Sequence, residues 1–232
     1  MREFTFTQLK DGYRYNSDTL LLYDFISKHK LKGSVLEVGC GCGIIGILLK
    51  HKFEKIELFL LDILQQNYEL CEINLKQNNI SAQLFCEDFF NFSHKKKIDF
   101  ILCNPPFYRN GAYESTNLHK KVSKFQSSFC LDSFIKKSNS LLKANGTLYF
   151  CYESSALESI CSTLTKYKLR LSKICFVYKD EKSKARLVLL EAKKSFNGVC
   201  EVMRPFFMYK DKIISPQMQE LSSSLRIKSL DL

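Results

Sequence analysis

Ser34-Val35-Leu36-Glu37-Val38-Gly39-Cys40-Gly41-Cys42-Gly43 reads as a buried strand over residues 34–38, a glycine turn, and a helix over residues 43–50. Glycines at 39, 41 and 43 let the backbone turn tightly and approach a ligand with no Cβ in the way. The helix start beyond them offers free N–H groups to an anionic group. Gly41-x-Gly43-x-x-Gly46 also matches the dinucleotide fingerprint, with Asp62 about 20 residues on. Gly46 fits equally a helix position chosen for close packing on the strand. Glu37 lies inside the apolar strand, where a carboxylate is costly unless it meets a donor. A ligand, a backbone amide or a lysine would serve.

Outward from this stretch, apolar runs alternate with amphipathic ones, the pattern of a parallel α/β sheet. Strands are expected over 56–61, 82–86, 98–103 and 147–151. Helices are expected over 65–78, with Tyr68, Cys71 and Leu75 on one stripe, and over 125–142 and 154–166. Asn145-Gly146 reads as a turn, and 109–123 as a long polar loop. Residues 171–178 and 186–191, joined by the charged turn 179–184, form an expected antiparallel hairpin. A short strand and a helix over 216–225 close the chain. There is no repeat or linker, so one domain is expected over 1–232: an N-terminal segment 1–30, a core 31–195 and an extension 196–232.

Asp62 ends the second strand at the carboxyl edge, where open α/β sheets bind ligands. It can accept both hydroxyls of a ribose; its purely structural role would be an N-cap for the next helix. Asp88 follows the third strand and can accept an adenine amino group, with the Phe89 N–H donating to the ring; a solvated turn would use the same residue. The fourth strand ends in Asn104-Pro105-Pro106-Phe107. Two prolines force a rigid turn there. The Asn104 side chain and the Pro105 carbonyl can then accept hydrogen bonds from one planar amino group. Such a nitrogen is a poor nucleophile, because its lone pair is delocalised. Two acceptors aim that lone pair and stabilise the positive charge that develops on transfer. Phe107 can stack on the flat target. Together with Glu37 and the two strand-end acids, the motif points to methyl transfer from S-adenosylmethionine to an amino nitrogen.

Composition agrees. The chain has 232 residues, is 45% hydrophobic, and carries a net charge of +11, which suits a polyanionic partner. No apolar run nears the roughly 18 residues of a membrane span, and the N-terminus has no signal-peptide pattern. Ten cysteines include no Cys-x-x-Cys pair and do not cluster with the four histidines, so no metal site is expected. Several fall inside expected strands and helices as small apolar fillers, as suits a reducing cytoplasm.

The glycine loop, Asp62 and Asn104–Phe107 resemble the class I amino-methyltransferases. The whole chain is most similar to the tRNA(Val) adenine-37 N6-methyltransferase family. Gly12-Tyr13-Arg14-Tyr15-Asn16-Ser17-Asp18-Thr19-Leu20-Leu21-Leu22, Asn104–Tyr108 with Gly111, and Ala185–Glu191 carry the likeness. The resemblance implies a Rossmann-like, mostly parallel seven-stranded sheet with an antiparallel edge hairpin. It implies S-adenosylmethionine as cofactor, RNA as partner, a monomer, and Asn104, Pro105, Pro106 and Phe107 as the catalytic turn. It places Arg14, Thr19, Glu37, Gly39, Cys40, Gly41, Gly43, Asp62, Ile63, Asp88, Phe89 and Asn104 around the cofactor, with Arg14, Asp18 and Thr19 near its methionine end. From the residues alone, Asp18 and Thr19 read as N-caps of a helix over 20–28. Arg109, Lys120, Lys121 and Lys124 are the expected RNA contacts; Lys179, Lys182 and Lys184 are weaker candidates. Cys40 and Cys42 depart from the small residues usual in the loop, and His119-Lys120-Lys121 stands where the family often has Ala-Arg. A release-factor glutamine methyltransferase shares the chemistry but carries a preceding helical domain, and only 38 residues precede Gly39. An rRNA guanine N2-methyltransferase, a DNA adenine methyltransferase and a nucleotide-binding oxidoreductase would each share part of the pattern. The first often has a duplicated domain, the second needs a target-recognition region, and the third rests on Gly41–Gly46 alone.

Overall fold

Along the central strands, side chains alternate between two apolar clusters, because a strand's side chains point to opposite faces with period two. Val35, Leu58, Leu60, Leu102, Tyr149 and Cys151 enter one cluster. Leu36, Val38, Phe59, Leu61, Ile101, Cys103 and Phe150 enter the other. The sheet between them is known from a computed structural model, which describes residues 2–10, 14–105 and 130–232.

Its long strands are β2 (Ser34–Val38), β3 (Glu57–Asp62), β4 (Gln83–Cys86), β5 (Ile98–Cys103), β6 (Leu142–Glu153), β7 (Leu169–Tyr178) and β8 (Ala185–Lys194). They lie in the order β7-β8-β6-β5-β2-β3-β4, with the two-residue strands β9 (Glu201–Val202) and β10 (Phe206–Phe207) pairing onto β7. All neighbours are parallel except β8, which runs antiparallel to both β6 and β7. The expected hairpin is therefore present, but β8 lies inside the sheet and β7 is covered by the extension. The first face is covered by α1 (Ser17–Ser27), α2 (Ile44–Lys52) and the Cys71 and Leu75 side of α3 (Gln65–Gln77). The second face is covered by α4 (Leu131–Leu141) and α5 (Leu157–Lys166), which bury Phe134, Ile135, Ile160 and Leu164.

Three expectations need correction. The Asn145-Gly146 turn is a bulge within β6: Ile98 pairs with Leu142 but Phe100 pairs with Thr147, so the extra residues are extruded to solvent. The cap of α1 is Asn16, whose side chain accepts from the Asp18 and Thr19 amides; Asp18 and Thr19 lie in the first turn. The N-terminal segment also contains a strand, β1 (Glu3–Gln8), paired in parallel with β13 (Arg226–Asp231) at the chain's end. Buried Asn74 of α3 seats β1: it accepts from the Thr7 N–H at 2.7 Å and donates to the Thr7 carbonyl at 3.1 Å. Phe4 and Phe6 alternate inward beneath it.

The rest of the extension holds the hairpin β11 (Tyr209–Lys210) and β12 (Ile213–Ile214), followed by α6 (Pro216–Ser224). Among the described residues, no helix is long and apolar enough to cross a membrane.

Candidate functional site

Strand register fixes a line of groups along the carboxyl edge. Val38 pairs with Cys103, so Gly39 and Asn104 leave adjacent strands side by side. Asp62 pairs with Cys86, which brings the start of the Asp88 turn beside it. The Gly39 N–H donates to the Leu61 carbonyl at 2.9 Å, seating the glycine turn against the end of β3.

The turn takes its shape from glycine. Gly39, Gly41 and Gly43 have φ of +63°, +57° and +77°, a region in which side chains are strained. Around a Cβ built on Gly39 nothing lies within 4 Å, so the backbone there faces open space. Gly46 instead sits tight in α2: a Cβ there would come to 2.6 Å from Leu60 and 2.7 Å from Glu37. Its role is close helix–strand packing, and its N–H is held by Glu37.

Two buried carboxyl groups hold the turn and the helix that follows it. Glu37 Oε2 accepts the Gly46 N–H at 2.7 Å, so its partner is a backbone amide. Burial raises its pKa to about 8, against the opposing effect of the Gly46 bond. Asp62 accepts the Gly41 N–H at 2.9 Å on one oxygen and the Leu64 N–H at 3.0 Å on the other. It does not cap α3, whose N-cap is Leu64 with no side-chain bond. Burial also raises the Asp62 pKa, partly offset by those backbone donors. Ile63 follows it, half-buried.

Cys40 and Cys42 fit because both are buried beneath the loop. Cys40 Sγ lies 3.5 Å from Cys71 Sγ, and the Cys71 thiol donates to the Gly41 carbonyl at 3.2 Å. Burial pushes the Cys42 thiol up to about 12. All ten cysteines are free; Cys40, Cys42, Cys71, Cys103, Cys151 and Cys175 are buried fillers, while Cys86, Cys130, Cys161 and Cys200 are exposed.

Asn104 sits between α1 and β6. Its Nδ2 donates to Thr19 Oγ1 at 3.0 Å, and the Cys151 thiol donates to its Oδ1 at 2.9 Å. Pro105 beside it is buried. Asp18, next to Thr19, is clamped by the Arg186 guanidinium of β8, which fastens the first turn of α1 to the sheet. Asp88 Oδ1 accepts the Phe90 N–H at 2.8 Å, and the Phe89 ring packs in the second cluster. Arg14 pairs with Asp231 of β13 at 2.6 Å, on the terminal ribbon. Pro106, Phe107, Arg109, Lys120, Lys121 and Lys124 lie outside the described residues. Among the described residues, no group of three or more His, Cys, Asp or Glu could hold a metal ion.

Sequence reasoning missed Asn16, Arg186 as the partner of Asp18, and Cys151. The spacing Asn16-x-x-Thr19 carried a capping signal; nothing local marked the other two. It also missed Glu191 of β8, fully buried, which accepts from Tyr149 at 2.9 Å and Ser172 at 2.6 Å and pairs with Lys193 at 2.9 Å. His29, beyond α1, lies 3.3 Å from the same carboxylate.

Known proteins resemble this chain in sequence and fold. The family model described as methyltransferase small domain matches residues 14–159. A tRNA1(Val) (adenine(37)-N6)-methyltransferase of Flavobacterium psychrophilum is 25% identical over 193 residues, 82% of each chain. A ribosomal RNA small subunit methyltransferase C of Actinobacillus pleuropneumoniae is 37% identical over 105 residues, 45% of this chain; the match spans only 30% of that relative's length. Among solved structures, a predicted O-methyltransferase, Atu636 of Agrobacterium tumefaciens, superposes with a TM-score of 0.67 at 14% identity. That match covers 93% of this chain and 100% of the other. The fold is that of the class I S-adenosylmethionine-dependent methyltransferases.

Proposed function

From the premise that the chain belongs to the methyltransferase small domain family, we propose that it methylates the exocyclic N6 of adenine in RNA, with adenosine 37 of tRNA(Val) as the target. S-adenosylmethionine is the cofactor of this family and fold. The site fits it: the Gly39 backbone faces open space, between the strand ends that carry Asp62 and Asn104. In this reading the Gly39, Cys40, Gly41 and Gly43 backbone receives the methionine end, with Arg14 near it and Glu37 supporting the turn. Asp62 and Ile63 line the ribose, and Asp88 and Phe89 the adenine.

The observation that carries the proposal is Asn104 at the end of β5, beside Gly39. Bound S-adenosylmethionine supplies an electrophilic methyl on a positively charged sulfur. Asn104 Oδ1 and the Pro105 carbonyl accept the two N–H bonds of the target amino group, turning its lone pair toward that methyl. As the nitrogen becomes tetrahedral and positive, both bonds strengthen, so the turn stabilises the transition state more than the ground state. Phe107 stacks on the base, which must leave its own stack to reach the site. Arg109, Lys120, Lys121 and Lys124 engage phosphates; salt weakens such contacts steeply. The exposed Lys179, Lys182, Lys184, Lys210 and Lys212 add positive charge beside β7, β8 and β11.

RNA is favoured over a glutamine side chain by the +11 charge and by the tRNA-modifying relative, whose match spans 82% of both chains. Guanine N2 of ribosomal RNA is the second reading, favoured by the higher local identity of 37% to the rRNA methyltransferase. The two part in one experiment. The protein is incubated with S-adenosylmethionine and either an unmodified tRNA(Val) transcript or small-subunit rRNA, and the nucleosides are analysed by mass spectrometry. N6-methyladenosine in the tRNA is the expected product. N2-methylguanosine in the rRNA, with the tRNA untouched, replaces the first reading with the second.

A further inference from the structure

The Asn104 amide can catalyse only one way round. Its oxygen and nitrogen ends are nearly equal in shape, but only the oxygen accepts from a target amino group. Something must therefore fix which end faces the reaction. Two described groups meet its ends: Thr19 Oγ1 lies 3.0 Å from Nδ2, and Cys151 Sγ lies 2.9 Å from Oδ1.

The polarity at Thr19 follows from the helix cap. Thr19 is the fourth residue of the capping box that opens α1. Its hydroxyl has one proton, and it stands 3.4 Å from Asn16 Oδ1, which can only accept. With its proton turned toward that oxygen, which also receives the Asp18 and Thr19 N–H groups, the hydroxyl faces Asn104 as an acceptor on the amide's NH2 end. The Asn16 backbone N–H, 3.4 Å from the same oxygen, also requires it as an acceptor. Cys151 works from the other side. It is fully buried in β6, and burial keeps its thiol protonated. A protonated thiol donates, and so selects the amide's oxygen. An amide oxygen has two lone pairs, so the bond from Cys151 does not by itself prevent one from the target. Arg186, through Asp18, holds the first turn of α1 that carries Thr19.

We propose that Thr19 and Cys151 are positioning residues that set the amide orientation of Asn104, making the cap of α1 part of the methyl-transfer machinery. This rests on Asn104 as the residue that receives the target amino group. It moves Thr19 from the cofactor's methionine end to the acceptor side of the site.

The test compares Thr19→Val, Thr19→Ser, Cys151→Ala, Cys151→Ser and Asn104→Ala in the full chain. It uses the RNA that the wild type methylates, or free adenosine at high concentration. Thr19→Val and Cys151→Ala are expected to lower kcat about 10- to 100-fold, the cost of a misplaced reacting group. Their calorimetric affinity for S-adenosylmethionine should stay within about two-fold of wild type, reflecting a site lost in orientation only. Thr19→Ser and Cys151→Ser restore the donor or acceptor and should recover most of the lost kcat. Thermal melting checks that each variant folds, and the serine pair keeps the comparison valid where the larger changes destabilise. Full kcat in Thr19→Val and Cys151→Ala, while Asn104→Ala is inactive, overturns this proposal alone. Loss of cofactor affinity in Thr19→Val returns Thr19 to the cofactor site and likewise overturns it. Retained turnover in Asn104→Ala overturns the underlying reading, and this proposal with it.

Discussion

Glu37 offers a quantitative test of how the glycine turn is built. Its carboxyl is buried with one backbone donor, Gly46, and burial raises its pKa from 4.5 to about 8. The folded protein therefore keeps a proton that the unfolded chain has released above pH 4.5. The sign follows directly: the contribution is full below pH 4.5 and is lost progressively as pH rises toward 8. At about 1.4 kcal/mol per pH unit, the loss across that window is about 4 kcal/mol. Glu37→Gln is the matched perturbation, since its amide oxygen still accepts from Gly46 and cannot ionise. Denaturant unfolding at fixed temperature from pH 5 to 8 should show wild-type stability falling relative to Glu37→Gln. The gap should grow by about 4 kcal/mol, or about 10 °C in Tm for a chain of this size. Comparing the pair cancels every other titrating group. Parallel curves for the two proteins would refute a protonated Glu37, and with it the account of the turn.

Three further outcomes follow from the same geometry. Gly39→Ala places a Cβ in open space at φ +63°; its stability cost should be only about 1–2 kcal/mol, while calorimetric affinity for S-adenosylmethionine falls by about ten-fold or more. Asp62→Ala strips acceptors from the Gly41 and Leu64 amides; melting should show a loss of about 1–3 kcal/mol, and cofactor binding should weaken as well. Glu191→Ala leaves Lys193, Tyr149 and Ser172 without their shared acceptor, for a loss of about 3–5 kcal/mol by chemical denaturation. Its lowered pKa gives the opposite sign to Glu37: that stability is present above the ordinary carboxylate range and disappears as pH falls below it.

What the sequence disclosed was local. The strand–turn–helix around Gly39 and the strand ending in Asn104 were legible because apolar period and glycine or proline punctuation lie in contiguous residues. Asp62 and Asp88 were legible as strand-end acids, though not the amides they hold. Contacts made by tertiary approach were not legible. Arg186 meets Asp18 across 168 positions, and Cys151 meets Asn104 across 47; no spacing encodes either. The pairing of β1 with β13 joins the two ends of the chain, and a six-residue strand with a remote partner leaves little periodic signal. The Asn145-Gly146 pair was misread because a bulge uses the same residues as a turn; only the partner strand tells them apart.

The central claim is N6 methylation of adenine in tRNA(Val) through Asn104. Its most direct test is nucleoside mass spectrometry of tRNA(Val) from a strain lacking the gene, complemented with wild type or with Asn104→Ala. The account predicts N6-methyladenosine at position 37 absent from the deletion strain, restored by wild type and not by Asn104→Ala. Normal N6-methyladenosine in the deletion strain would contradict it.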